Sequence, residues 1–256
     1  VTGGRLARVD PLAASLLTSV GGVVGWLAVV GVLESGDLAV PFPLPFPFLV
    51  AVTGLLVLQA TVLVAVYRPD AVAGGRPPFT PPTALTVVRG GAIAVLAGFL
   101  LASPDVTGWT AALLYAAAAG LDAVDGFLAR ATGTVTDLGA RLDTEMDALG
   151  MLVGAAVAIS FGMAPAVYLL VGLARYVFIA GLVGRRWRGN PVSELPESRL
   201  RRLNAGGQMA VLIVLLAPWP GTAASRPLAT VAMVPFLLVF GRDWLLATGR
   251  REGPVR

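Results

Sequence analysis

Apolar residues come in long blocks along this chain, separated by short breaks carrying proline, glycine or arginine. Eight blocks approach the roughly 20 residues that cross a bilayer as a helix. They predict spans at roughly 12–33, 47–67, 85–102, 109–129, 139–161, 164–184, 203–217 and 227–247. The first block is too long for the apolar stretch of a signal peptide and lacks a small-residue cleavage site, so it is expected to be retained. The expected fold class is therefore an all-α polytopic membrane protein. Gly74-Gly75-Arg76-Pro77-Pro78 through Pro82 reads as a linker. It divides the chain into an N-terminal two-helix hairpin with its linker, 1–76, and a six-span remainder, 77–256. The proline-rich stretch 41–47 is expected to be an external loop, and no internal repeat is visible.

Composition supports this division of the chain. Of 256 residues 56% are hydrophobic and 13% charged, and mean hydropathy is +0.81. Such values fit a membrane protein better than a soluble domain. Arginine placement predicts orientation. Arg5 and Arg8 precede the first span, and Arg68 and Arg76 lie between the second and third. Arg130 and Arg141 fall between the fourth and fifth, six arginines from Arg185 to Arg202 before the seventh, and Arg250, Arg251 and Arg256 after the eighth. With an even number of spans all of these lie on one side, and the opposite loops hold only Arg226. The positive-inside rule then puts both termini in the cytoplasm of a cell-membrane protein. The pI near 10.3 follows from these flanking arginines. It points to anionic lipid headgroups and not to nucleic acid. Every basic side chain is arginine, which reads as a GC-rich codon bias.

Six of the fifteen carboxylates fall between Asp122 and Asp147, inside two otherwise apolar segments. A charge at mid-helix costs about 2.5–3.5 kcal/mol on insertion scales, so such a cluster needs a purpose. Asp122 and Asp125 are three apart and share a helix face; Asp143 and Asp147 are four apart and share another. Gly126 and Ala129 keep the first face slim, and Gly139, Gly150 and Gly154 do the same for the second, so the two backbones can approach. Four carboxylates brought together cannot all stay ionised without a cation. With no Cys and no His in the chain, that cation must be held by oxygen, which suits Mg²⁺, Mn²⁺ or Ca²⁺. The aspartates lie near the same face as the arginines, so the site is expected to be cytoplasmic. An ion-coupled transporter is the competing class, but transporters place interrupted helices near the midplane and show internal symmetry.

The run Asp122-x-x-Asp125-Gly126-x-x-Ala129-Arg130, eight residues, then Gly139-x-x-x-Asp143-x-x-x-Asp147 resembles the signature of the CDP-alcohol phosphatidyltransferase family at every fixed position. The resemblance implies a six-helix core over about 85–247 and transfer of a lipid-phosphate group, phosphatidyl or archaetidyl, from a CDP-linked lipid to a small alcohol, with release of CMP. It implies Asp122, Asp125, Asp143 and Asp147 as ligands of Mg²⁺ or Mn²⁺, with Asp147 also the base for the acceptor hydroxyl. Gly126, Ala129, Arg130, Thr136 and Gly139 would line the CDP-lipid site, and a homodimer is the family expectation. Pro82-Thr83-x-x-Thr86-x-x-Arg89 resembles the opening of that family's first core helix, which would add Thr83 and Thr86 to the nucleotide pocket. The plain alternative is a helix cap at Thr83 and an orienting arginine.

For the acceptor, Arg175 inside the sixth span needs a partner or a wet cavity. Arg185, Arg199 and Arg202 belong to a loop that could hold a phosphorylated acceptor, since guanidinium forks suit phosphate, or simply mark topology. This arginine supply favours glycerol phosphate or inositol phosphate over serine or another unphosphorylated alcohol. Gln208 is expected to face the cavity, and Arg242-Asp243 to form a local ion pair.

Overall fold

A computed structural model of the chain describes residues 46–66, 81–101, 108–132, 137–193, 195, 198–219 and 221–249. The first predicted span and most of the linker lie outside these residues. The described elements are helical throughout: α1 (Phe46–Val66), α2 (Pro81–Gly98), α3 (Thr110–Thr132), α4 (Asp137–Ser160), α5 (Leu169–Trp187), α6 (Arg199–Leu216) and α7 (Thr222–Gly249). No strand occurs among the described residues. Ala166–Trp187 and Thr222–Gly249, of 22 and 28 residues, are long and apolar enough to cross a membrane. Large apolar side chains such as Phe127, Leu203, Val231, Leu238 and Leu245 point outward, as lipid-facing positions do.

Two compact units divide the chain. One gathers α1, α2, α3 from Ala117 onward and α4 as far as Met146. Here α1 packs along α2. The Phe48 ring meets Phe99 edge-on at 5.5 Å between centroids and covers Gly98, where any side chain would overlap it. The buried Gln59 side chain donates to the Gly90 carbonyl at 2.7 Å, so an otherwise costly polar group inside an apolar contact is satisfied. Helix α1 is thus fastened to the helix that carries Arg89.

The other unit gathers the start of α3, α4 from Asp147, and α5 to α7. Small residues set its close contacts. Gly154 of α4 receives the Tyr115 ring of α3, so this part of the glycine stripe admits an aromatic side chain. At Gly172 an added Cβ would stand 2.5 Å from the Cα of Leu152, and at Gly181 it would meet the Trp244 indole at 2.6 Å. The Tyr168 hydroxyl donates to Gln208 Oε1 at 2.7 Å, and the Gln208 amide donates to the Ala232 carbonyl, which ties α6 to α7. Gln208, 3% exposed, thus has both ends of its amide engaged in helix packing.

The Gly172 contact is with backbone, which cannot swing aside. Gly172→Ala should therefore cost about 1–3 kcal/mol, as overpacked cores do. Gly184, with nothing within 4 Å of an added Cβ, is the control. Gly184→Ala should be neutral or stabilising by up to about 1 kcal/mol through helix propensity. Thermal unfolding of detergent-purified variants checks the pair; equal melting temperatures would remove the close-approach argument.

Candidate metal centre

The site is built where α3 ends and α4 begins, with α2 beside them. Alanine-rich turns carry α3 as an uninterrupted helix to Thr132, so Asp122 and Gly126 lie one turn apart on it. Helix α4 opens at Asp137. It runs to Ser160, so Asp143 and Asp147 stand one turn apart on one face. Carboxylate oxygens of Asp122, Asp143 and Asp147 all lie within 4.8 Å of one another, and all three residues are half-buried.

Arg89 of α2 meets this cluster from within the core. It is 2% exposed. Its Nη1 donates to Asp122 Oδ1, and its Nη2 donates to Asp143 Oδ1 at 2.9 Å and to the Asp143 carbonyl at 3.0 Å. The guanidinium thus spans α3 and α4 as a planar fork. Two like charges 4.8 Å apart repel by about 3–4 kcal/mol at an effective dielectric of about 20. Among the described residues a single guanidinium faces three carboxylates, and such a set suits a further cation. Its size also fits one. Oxygens on opposite sides of an ion stand about 4.2 Å apart for Mg²⁺ and about 4.6–5.2 Å for Ca²⁺. The donor set is all oxygen, as a hard ion requires.

The other expected site residues fall unevenly. Thr86 is buried one turn before Arg89 on the same face of α2. Gly126 is half-buried on α3. Thr83 lies in the first turn of α2, Asp125, Ala129 and Arg130 on α3 and Gly139 on α4; the side chains of these five, and all of Thr136, lie outside the described residues. Of the acceptor candidates, Arg175 is half-buried on α5, and Arg199 and Arg202 are exposed on α6. Arg185 donates to the Thr248 carbonyl at 3.4 Å, at the end of α7. Asp243, 5% exposed, pairs with Arg201 at 2.9 Å and not with Arg242. Consecutive residues on a helix point apart, so the expected Arg242–Asp243 pair is replaced by one between helices.

Sequence reasoning missed the position of Arg89 between two site carboxylates. It is the one charged residue of α2, and a lone arginine on an apolar helix in a chain with clustered aspartates was the available signal.

The comparisons agree with the geometry. The family model for CDP-alcohol phosphatidyltransferase matches residues 79–241, from just before α2 to within α7. No curated protein matches the chain. The match covers more than half of the sequence and all of the aspartate run, and the chain belongs to the CDP-alcohol phosphatidyltransferase family, transferases of substituted phosphate groups.

Proposed function

We propose that this enzyme joins the lipid-bearing phosphate of a CDP-linked lipid to a phosphorylated polyol, glycerol phosphate or inositol phosphate, and releases CMP. The observation that carries the reading is the convergence of Asp122, Asp143 and Asp147 around one ion-sized space. A divalent ion bound there, Mg²⁺ or Mn²⁺, would neutralise charge on the pyrophosphate and on the attacking oxygen. Asp122, Asp125, Asp143 and Asp147 would hold it. Asp147 would also accept the acceptor hydroxyl's proton on a carboxylate oxygen. The acceptor oxygen then bonds to the lipid-side phosphorus as the bond from that phosphorus to the bridging oxygen breaks, and CMP leaves with that oxygen.

Gly126, Ala129 and Gly139 would let the nucleotide approach backbone, while Thr83, Thr86, Arg130 and Thr136 supply polar contacts to the CDP group. Arg199 and Arg202, both exposed, and Arg175 would bind the acceptor's phosphate. Arg185 already holds the end of α7 and is better read as a helix-end residue. The arginine distribution supports a cytoplasmic site and cytoplasmic termini, and the family resemblance supports a homodimer.

The test is CMP release by purified protein from CDP-linked lipids with ester or ether chains. EDTA should abolish release, and Mg²⁺ or Mn²⁺ should restore it. Full turnover in chelator would remove the ion from the reading. Release with serine and none with glycerol phosphate or inositol phosphate would replace the acceptor.

A further inference from the structure

Arg89 is buried, fixed and shared between two of the carboxylates proposed as ion ligands. Its neighbours leave it little freedom. Gly90, next in sequence, accepts the Gln59 amide at its carbonyl, and a Cβ there would already meet Gln59 and Met146 at 2.9 and 3.2 Å. The helix that carries Arg89 is therefore held from α1 and from α4 at this turn. The guanidinium reaches Asp122 on α3 with one nitrogen and Asp143 on α4 with the other. Its bonds to the Asp143 side chain and main chain together fix that residue's rotamer.

We propose that Arg89 is a positioning residue that serves as the built-in counter-charge of the ion site. It keeps Asp122 and Asp143 assembled when no divalent ion is bound, and it holds the site's ion affinity below what the carboxylates alone would give. The proposal rests on reading the aspartate cluster as a divalent-ion site.

Two effects of removing Arg89 oppose each other. Losing the fork frees the two carboxylates to reorient, which disfavours ion binding. Losing its charge removes repulsion against a doubly charged ion and leaves the ion-free carboxylates without this partner. Aspartate has a short side chain with few rotamers to lose, whereas charge–charge terms inside a half-buried site are large. Charge therefore wins. In the thermodynamic cycle the ion-free protein is destabilised more than the ion-loaded one, and that difference appears as tighter ion binding. Each carboxylate has a second oxygen besides the Oδ1 that Arg89 takes, so ion and guanidinium need not claim the same atom.

The experiment uses the full chain in detergent, with Mn²⁺ as the probe. Free Mn²⁺ is counted by electron paramagnetic resonance, and thermal unfolding is followed in EDTA and in saturating Mn²⁺. Arg89→Gln should melt lower than wild type in EDTA, recover most of that loss in Mn²⁺, and bind Mn²⁺ about tenfold tighter. Arg89→Lys keeps the charge without the fork, and should bind within about threefold of wild type, below the usual range of coupling effects. Equal melting losses with and without Mn²⁺ at unchanged affinity would make Arg89 a helix fastener and overturn the proposal. Weaker Mn²⁺ binding by Arg89→Gln would overturn it in favour of ligand ordering. Wild-type protein that binds no Mn²⁺ would remove the ion-site reading itself, a result separable from the other two. Should Arg89→Gln fail to fold in EDTA, the charge-balanced Arg89→Gln/Asp122→Asn protein should fold, and its failure would also overturn the proposal.

Discussion

Asp122→Ala should insert and fold, yet release CMP about 10³-fold more slowly than wild type or worse. A divalent ion stabilises several kcal/mol of developing charge in phosphoryl-type transfer, and each 1.36 kcal/mol lost is a factor of ten in rate. The aspartate run by itself suggests that removing one carboxylate relieves repulsion and stabilises the ion-free protein. The geometry reverses that expectation, because Asp122 is a partner of the buried Arg89. Asp122→Ala should therefore also lower the melting temperature in EDTA, where no ion compensates. Two measurements check it: single-turnover CMP release across a wide Mg²⁺ range, and melting in chelator. A variant with near-normal turnover would show that Asp122 does not hold the ion. Asp125→Ala should show the same loss of turnover, by its place in the motif.

Helix positions were largely readable from apolar length. The spans expected at 47–67, 109–129 and 139–161 correspond to α1, α3 and α4, with ends shifted by one to three residues. Larger shifts have identifiable causes. Helix α2 starts at Pro81, four residues before the expected edge, because proline fits the first turn, where its missing N–H costs nothing. Helix α6 starts at Arg199, also four residues early. Ser198 caps it by accepting from the Arg201 N–H, and arginines in the first turn conceal a helix from any hydropathy reading. Helix α7 runs from Thr222 to Gly249 through Pro227 and Pro235, longer than the apolar block inside it. Hydropathy reports what suits lipid; capping and tertiary contacts decide where the helix stops.

The site was legible where its residues are local in sequence. Spacings of three and four put Asp122 with Asp125 and Asp143 with Asp147 on shared helix faces, and among the described residues Asp122, Asp143 and Asp147 cluster. Arg89 was not legible in this way. Its partners lie 33 and 54 residues away, and no period within one helix encodes a contact between helices. The same limit applies to Asp243, whose partner is Arg201, and to Gln208, whose polar groups are taken by Tyr168 and Ala232. A polar residue on an apolar helix announces that it needs a partner without saying which.

Asp147→Asn separates chemistry from binding. Asparagine is nearly the same size as aspartate and keeps one carbonyl oxygen for an ion, but it cannot take up the acceptor's proton. Asp147 sits one turn beyond Asp143, within 4.8 Å of the other two carboxylates, so the exchange also lowers local repulsion without emptying the space. Donor and ion should still bind, somewhat more weakly, while transfer slows by about 10²- to 10⁴-fold, the usual worth of a general base. The exchange leaves Asp122 and Asp143, the carboxylates bonded to Arg89, unchanged, so melting in EDTA should fall less than in Asp122→Ala. The check pairs donor titration with single-turnover CMP release at saturating donor, ion and acceptor. A variant that binds donor and transfers within about threefold of wild type, far short of the loss expected of a missing base, would pass the role to another carboxylate or to the acceptor's own phosphate.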